Sequence, residues 1–123
     1  MSPILLRDED PPEDTIVVVR GGLMDVDYVR HTIRNSYREN RVFALSVFLA
    51  LHLPVERLCA EDPFLARYAQ VRFSTVRRIR AAGFALLPTL ERPHYDVLLP
   101  DEADETLGKL EVAFDLPVPN PGR

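Results

Sequence analysis

The hydrophobic positions alternate between short apolar runs and stretches with helical spacing. Residues 15–19 form an almost unbroken β-branched run, TIVVV, which predicts a strand buried on both faces. Arg20 ends it and Gly21-Gly22 punctuates it. Asp25 then stands as a helix N-cap, with Asp27 favourably placed in the first turn. Val26, Val29, Ile33 and Tyr37 recur at spacings of three and four, the stripe of a core-facing helix. The run RVFALSVFLAL at 41–51 is apolar on both faces, so periodicity does not separate strand from buried helix. Its length and its Val42, Phe43, Val47 and Phe48 favour a strand.

Pro54 opens a helix over 55–61, with Val55, Leu58 and Cys59 inward, and Pro63 breaks it. A second short helix over 64–70 turns Leu65 and Tyr68 inward. Residues 71–73 read as a minimal strand. Ser74 reads as the N-cap and Gly83 as the stop of a helix over 75–82. The runs 84–87 and 94–99 pair as a hairpin across a turn at 88–93. Asp101 or Asp104 caps a last helix whose Ala103, Leu107, Leu110 and Phe114 share one face. The ends differ in character. Residues 1–14 form an acidic arm with three prolines, in which Ile4-Leu5-Leu6 could dock as an edge strand, and 117–123 form an extended Pro-rich tail. The expectation is a single α+β domain over 1–123, its mixed, mostly antiparallel sheet packed by about four helices.

Composition narrows the setting. A chain of 123 residues at 46% hydrophobic content buries a core without staples. The single cysteine, Cys59, excludes an intrachain disulfide and any local metal-ligand pattern, and no metal is expected. The opening residues turn acidic too early for a leader, and no apolar run spans a bilayer, so a soluble cytoplasmic protein with no membrane partner is expected. Charge is segregated. Residues 1–19 carry one arginine against five acids, 20–100 carry twelve arginines against eight, and 101–123 carry two bases against six acids. The basic middle can meet phosphate, or the acidic ends can fold over it.

Candidate chemistry is sparse. No phosphate loop, dinucleotide fingerprint, zinc-protease motif or nucleophile elbow occurs. Cys59 on an apolar helical face reads as core. What remains are polar residues at strand positions: Arg20 at the end of the first run, Ser46 inside the second, and Glu91, His94 and Asp96 around the last. If a sheet joins them, the arginine can grip a phosphate. The serine can fix a ribose, and a carboxylate can stabilise a developing cation or act as base. Each also has an ordinary role at a strand edge.

The succession VVVRGG, FALSVF and HYDVLLP resembles the three-part pattern of ADP-ribosyltransferases. That pattern is a strand-borne arginine before glycine, a strand-borne serine, and a late acidic residue before an apolar strand. The resemblance implies a substrate, NAD, held by Arg20, Gly21 and Ser46, with Asp96, Glu91 and His94 as catalytic candidates. It also implies kinship with small bacterial toxins, and hence a cognate antitoxin or other protein partner. Two other readings stand beside it. One is an RNA-binding or ribonuclease toxin using Arg30, Arg34 and Arg38 on one helix and Arg77, Arg78 and Arg80 on another, with Arg72 nearby and tyrosines for stacking. The other is a non-catalytic interaction module whose acidic ends mask a basic centre.

Overall fold

Six antiparallel strands and five helices build the domain in the computed structural model, which describes residues 8–123. In chain order they are β1 (Ile16–Arg20), α1 (Val26–Asn40), β2 (Phe43–Leu49), α2 (Val55–Glu61), α3 (Pro63–Ala66) and β3 (Gln70–Thr75). Then come α4 (Val76–Ala81), β4 (Ala85–Pro88), β5 (His94–Leu99), α5 (Asp104–Ala113) and β6 (Val118–Pro119). The sheet order is β4-β5-β2-β1-β3-β6. The expected α+β domain is present, and every pairing among the described residues is antiparallel. The candidate edge strand at Ile4-Leu5-Leu6 lies outside the described residues.

Strand alternation divides the core in two. Val17 and Val19 of β1, Leu45, Val47 and Leu49 of β2, and Tyr95, Val97 and Leu99 of β5 face one way. They meet Val29 and Ile33 of α1, Val76 and Ile79 of α4, and Leu107, Leu110 and Ala113 of α5. Val18, Phe48 and Val71 face the other way, onto Leu58 and Cys59 of α2 and Leu65 of α3. The β-branched run of β1 is therefore buried on both faces because each face carries its own helical layer. Among the described residues no helix is long and apolar enough to cross a membrane.

Local signals act where expected at most element ends. The Asp25 carboxylate accepts from Tyr28 N–H at the start of α1. Gly83, at φ +96°, stops α4 in the left-handed region that favours glycine. Tyr37, expected in the core stripe, is instead more than a third exposed and stacks on Phe43 with ring centroids 4.6 Å apart.

Four assignments change. β3 runs to Thr75, whose backbone pairs with Ile16, so Thr75 and not Ser74 caps α4 by accepting from Arg78 N–H at 3.2 Å. Ser74 is buried in the strand, donating its hydroxyl to the Ala113 carbonyl at 2.6 Å. The helix expected over 64–70 is the one-turn α3, since the chain must extend again to enter β3. Ala103 holds the cap position of α5, while Asp101 accepts from its N–H at 3.0 Å and from the Thr106 hydroxyl. The Pro-rich tail is no loose end. It docks as β6 on β3, and buried Asn120 donates to the Leu65 and Tyr68 carbonyls.

A candidate cleft where the sheet parts

The site begins with an incomplete ladder. β1 pairs with β3 over five residues, Ile16↔Thr75 to Arg20↔Val71. It pairs with β2 only at Val17↔Leu49 and Val18↔Phe48. Hydrogen-bonding pairs alternate along an antiparallel ladder. Ala50 N–H donates to Ile16 O at 2.9 Å, so Val18 with Phe48 comes next and Arg20 with Ser46 would follow. That pair does not form. Gly21, at φ +77°, turns the chain away while its N–H stays bonded to Gln70 O. β1 thus stays with β3 and β2 stays with β5, and the two part at Arg20 and Ser46.

A cleft of about 480 Å³ opens at this seam, within the size range of small-molecule sites. Arg20, Ser46, His94 and Asp96 line it from the sheet. Tyr28, Thr32, Ser36 and Glu39 line it from α1, at spacings that place them on one helical face. Thr89 and Leu90, from the turn between β4 and β5, complete the wall.

The register explains why the polar residues meet. Ser46 lies directly across from Asp96, and Phe48 across from His94, so Ser46 and His94 are diagonal neighbours on one face. The Ser46 Oγ–His94 Nε2 distance is 3.0 Å. The other imidazole nitrogen, Nδ1, lies 3.2 Å from the Thr89 carbonyl and 3.0 Å from its hydroxyl. The Thr89 hydroxyl donates to Asp96 Oδ2 at 2.9 Å. The result is a chain Ser46–His94–Thr89–Asp96. Burial pushes the Asp96 carboxyl above the usual carboxylate range, opposed by His94 and by the Thr89 bond.

Arg20 is half-buried in the wall, and among the described residues its guanidinium has neither a hydrogen bond nor an ion pair. An unpaired arginine beside a cleft offers its fork of donors to an anionic ligand.

The other candidates fall elsewhere. Glu91 is exposed on the turn and lines a neighbouring groove with Phe48, Phe64 and Arg92, so the carboxylates of the cleft are Asp96 from the sheet and Glu39 from α1, not Glu91. Gly21 lies behind Arg20 against the Tyr68 ring and serves the turn. Thr89 and the polar face of α1 escaped the sequence reading. Thr89 belongs to no motif, and only the hairpin register brings it to His94.

The arginine stripes are largely occupied. Arg30 bonds the Glu102 carbonyl and pairs with Asp104, and Arg34 grips the Glu102 carboxylate with two bonds at 2.6 and 2.9 Å. Arg34 holds that carboxyl below the usual range. Arg38 bonds Asn35 on its own helix. Arg78 meets Asp115 at 2.8 Å, and Arg80 meets Glu13 and Asp10 at 2.9 and 3.1 Å. Arg77 is exposed and makes no ion pair among the described residues. Arg72, counted with the second basic surface in sequence, is buried. The acidic ends fold over the basic middle, as segregated charge allows.

Cys59 is buried, and burial, with Glu56 and Asp62 nearby, pushes its thiol up to about 11, so it is core and not a nucleophile. Among the described residues no group of three histidines, cysteines or carboxylates converges to hold a metal ion. No protein-family model, curated protein or solved structure matches the chain.

Proposed function

We propose that the protein transfers ADP-ribose from NAD, with the cleft between β1 and β2 as its active site. The observation that carries this reading is an arginine without a partner among the described residues, Arg20, lining one cleft with Ser46, His94 and Asp96. Arg20 grips a phosphate of the substrate. Ser46 fixes the ribose that carries the reacting carbon. The Asp96 carboxylate faces the cation that develops there as nicotinamide departs. The polar face of α1 lies opposite and completes the enclosure. The occupied arginine stripes give the RNA reading no comparable support, because most of their guanidinium groups already have protein partners.

The test is direct. Purified protein is incubated with NAD labelled in its adenylate half, and nicotinamide release and transfer of label to protein or nucleic acid are followed. Arg20→Ala is expected to lower kcat/KM for NAD by about 100-fold, the typical loss on removing one group that holds charge in the transition state. The same protein expressed in cells is expected to arrest growth, and the arginine variant to relieve the arrest. Absence of nicotinamide release by the unaltered protein, alone and with a cell extract as acceptor, would sink the proposal.

A further inference from the structure

With a neutral imidazole, the contacts of the Ser46–His94–Thr89–Asp96 chain among the described residues give a consistent assignment of protons. A backbone carbonyl only accepts, and the Thr89 carbonyl lies 3.2 Å from His94 Nδ1, so Nδ1 carries a hydrogen. The Thr89 hydroxyl gives its hydrogen to Asp96, so its oxygen is left to accept from the same Nδ1–H. In the neutral imidazole Nε2 is then the acceptor, and the Ser46 hydroxyl, 3.0 Å away, donates to it. All donors therefore point from Ser46 toward Asp96. Thr89 is fully buried, which removes water as a competitor for these bonds.

We propose that Thr89 is a positioning residue that holds His94 as its Nδ1–H tautomer, so that His94 Nε2, reached through the Ser46 hydroxyl, takes the proton of the group that accepts ADP-ribose. This inference rests on the transferase reading and makes it more specific, since a neutral proton acceptor in the cleft suits an acceptor that must lose a proton: an alcohol hydroxyl or water. The glycosidic C–N bond breaks with its electron pair passing to the ring nitrogen, and nicotinamide leaves neutral. The acceptor oxygen bonds to the ribose carbon. Its proton passes to Ser46 Oγ as Ser46 passes its own to His94 Nε2, giving an imidazolium that later returns the proton to solvent. Asp96 is linked to the Nδ1 side of His94 through the Thr89 hydroxyl, and its Oδ1 lies 3.9 Å from Nε2, so its negative charge stands beside the imidazolium as it forms.

The experiment joins a spectrum to a rate. Nitrogen-15 NMR of histidine-labelled protein at about pH 8, above the ordinary histidine range near 6.5, reports which ring nitrogen of His94 is protonated, with His94→Gln identifying the signal. The unaltered protein and Thr89→Ser are expected to show Nδ1–H. Thr89→Val keeps the carbonyl but removes the hydroxyl, one of the two acceptors at Nδ1, so it is expected to shift part of the population toward Nε2–H and to lower kcat by about tenfold or more, with KM for NAD within about twofold, and Thr89→Ser to restore the rate. An Nε2–H spectrum in the unaltered protein overturns the assignment whatever the rate. Unchanged tautomer and kcat in a folded Thr89→Val overturn the positioning role. If the tautomer depends on Thr89 as expected but no NAD is consumed, the transferase reading fails and the tautomer assignment stands.

Discussion

The two halves of the sheet treat their buried polar groups differently. In the half built from β1, β3 and β6, these groups bond to backbone. Arg72 donates to the Asp115 carbonyl at 2.8 Å, Ser74 to the Ala113 carbonyl and Asn120 to two carbonyls at the end of α3. In the half built from β2, β5 and β4, side chains also bond to one another: Ser46 to His94, His94 to the Thr89 hydroxyl as well as its carbonyl, and Thr89 to Asp96. Bonds of the second kind are the minority class in folded proteins. The first kind pins chain segments, here the end of α5 and the docked tail. The second kind leaves protons that can move, beside a cleft. One half ties side chains to backbone and the other links side chains beside the cleft, and the two part where the β1–β2 ladder stops at Arg20 and Ser46.

Substitutions can break or sharpen this contrast. The largest stability effect is expected from Arg72→Ala. It removes a buried stem and leaves the Asp115 carbonyl without its donor, a loss of about 2–4 kcal/mol from unsatisfied and packing terms together. Denaturant unfolding measures it, while the activity of the remaining folded protein should be little changed. Arg20→Ala, one residue off in register on the neighbouring strand, should do the reverse. It should leave stability within about 0.5 kcal/mol, as for other substitutions without buried partners. If Arg72→Ala proved harmless to folding, the division into scaffold and site would collapse.

Gly122→Ala probes the scaffold at its other end. A Cβ there would lie 2.4 Å from the Ala60 backbone nitrogen and 2.6 Å from the Cys59 carbonyl carbon, atoms of α2 that cannot swing aside. The tail must shift, at a cost of about 1–3 kcal/mol for overpacking, read as a lower unfolding midpoint. An unchanged midpoint would mean that the tail contributes little to the fold.

A smaller effect than at Arg72 or Gly122 is expected from Asp96→Asn, and its sign is opposite. The Asp96 carboxyl is raised by burial, so the folded chain holds this proton more tightly than the unfolded chain. Its contribution is fully favourable below the ordinary carboxylate range and is lost as pH rises through the raised value. Above that, the buried carboxylate is a standing cost. Asp96→Asn should therefore stabilise the protein at neutral pH, within the range of about 0.5–2 kcal/mol seen for single stabilising changes, and remove this part of the pH dependence. A destabilised variant at pH 7 would show that the Thr89 and His94 contacts outweigh burial.

Much of the fold is legible in the chain because its signals are local. The β-branched run of β1, the Asp25 cap and the Gly83 stop act within a few residues of themselves. Errors arise where a distant partner overrides a local preference. Ser74 is an able N-cap, yet β1 holds β3 to Thr75 and turns Ser74 into a strand residue. Pro117 to Arg123 looks like free tail, yet β3 offers an edge and Asn120 finds carbonyls 52 and 55 residues away. The arginine spacing on α1 suits solvent pairing and anion binding equally. The acids at 102 and 104 decide between them by docking alongside.

By itself the sequence determined most of the elements, the α+β class and the chemical inventory, including Arg20, Ser46, His94 and Asp96. Periodicity, caps and glycine stops are properties of neighbouring residues and survive without tertiary context. Tertiary structure alone decided that Arg20 stands in the cleft without a partner among the described residues, where the sheet opens and that Thr89 belongs with His94. Those outcomes depend on strand register, which joins residues as far apart as Ser46 and His94 and leaves no periodic mark along the chain.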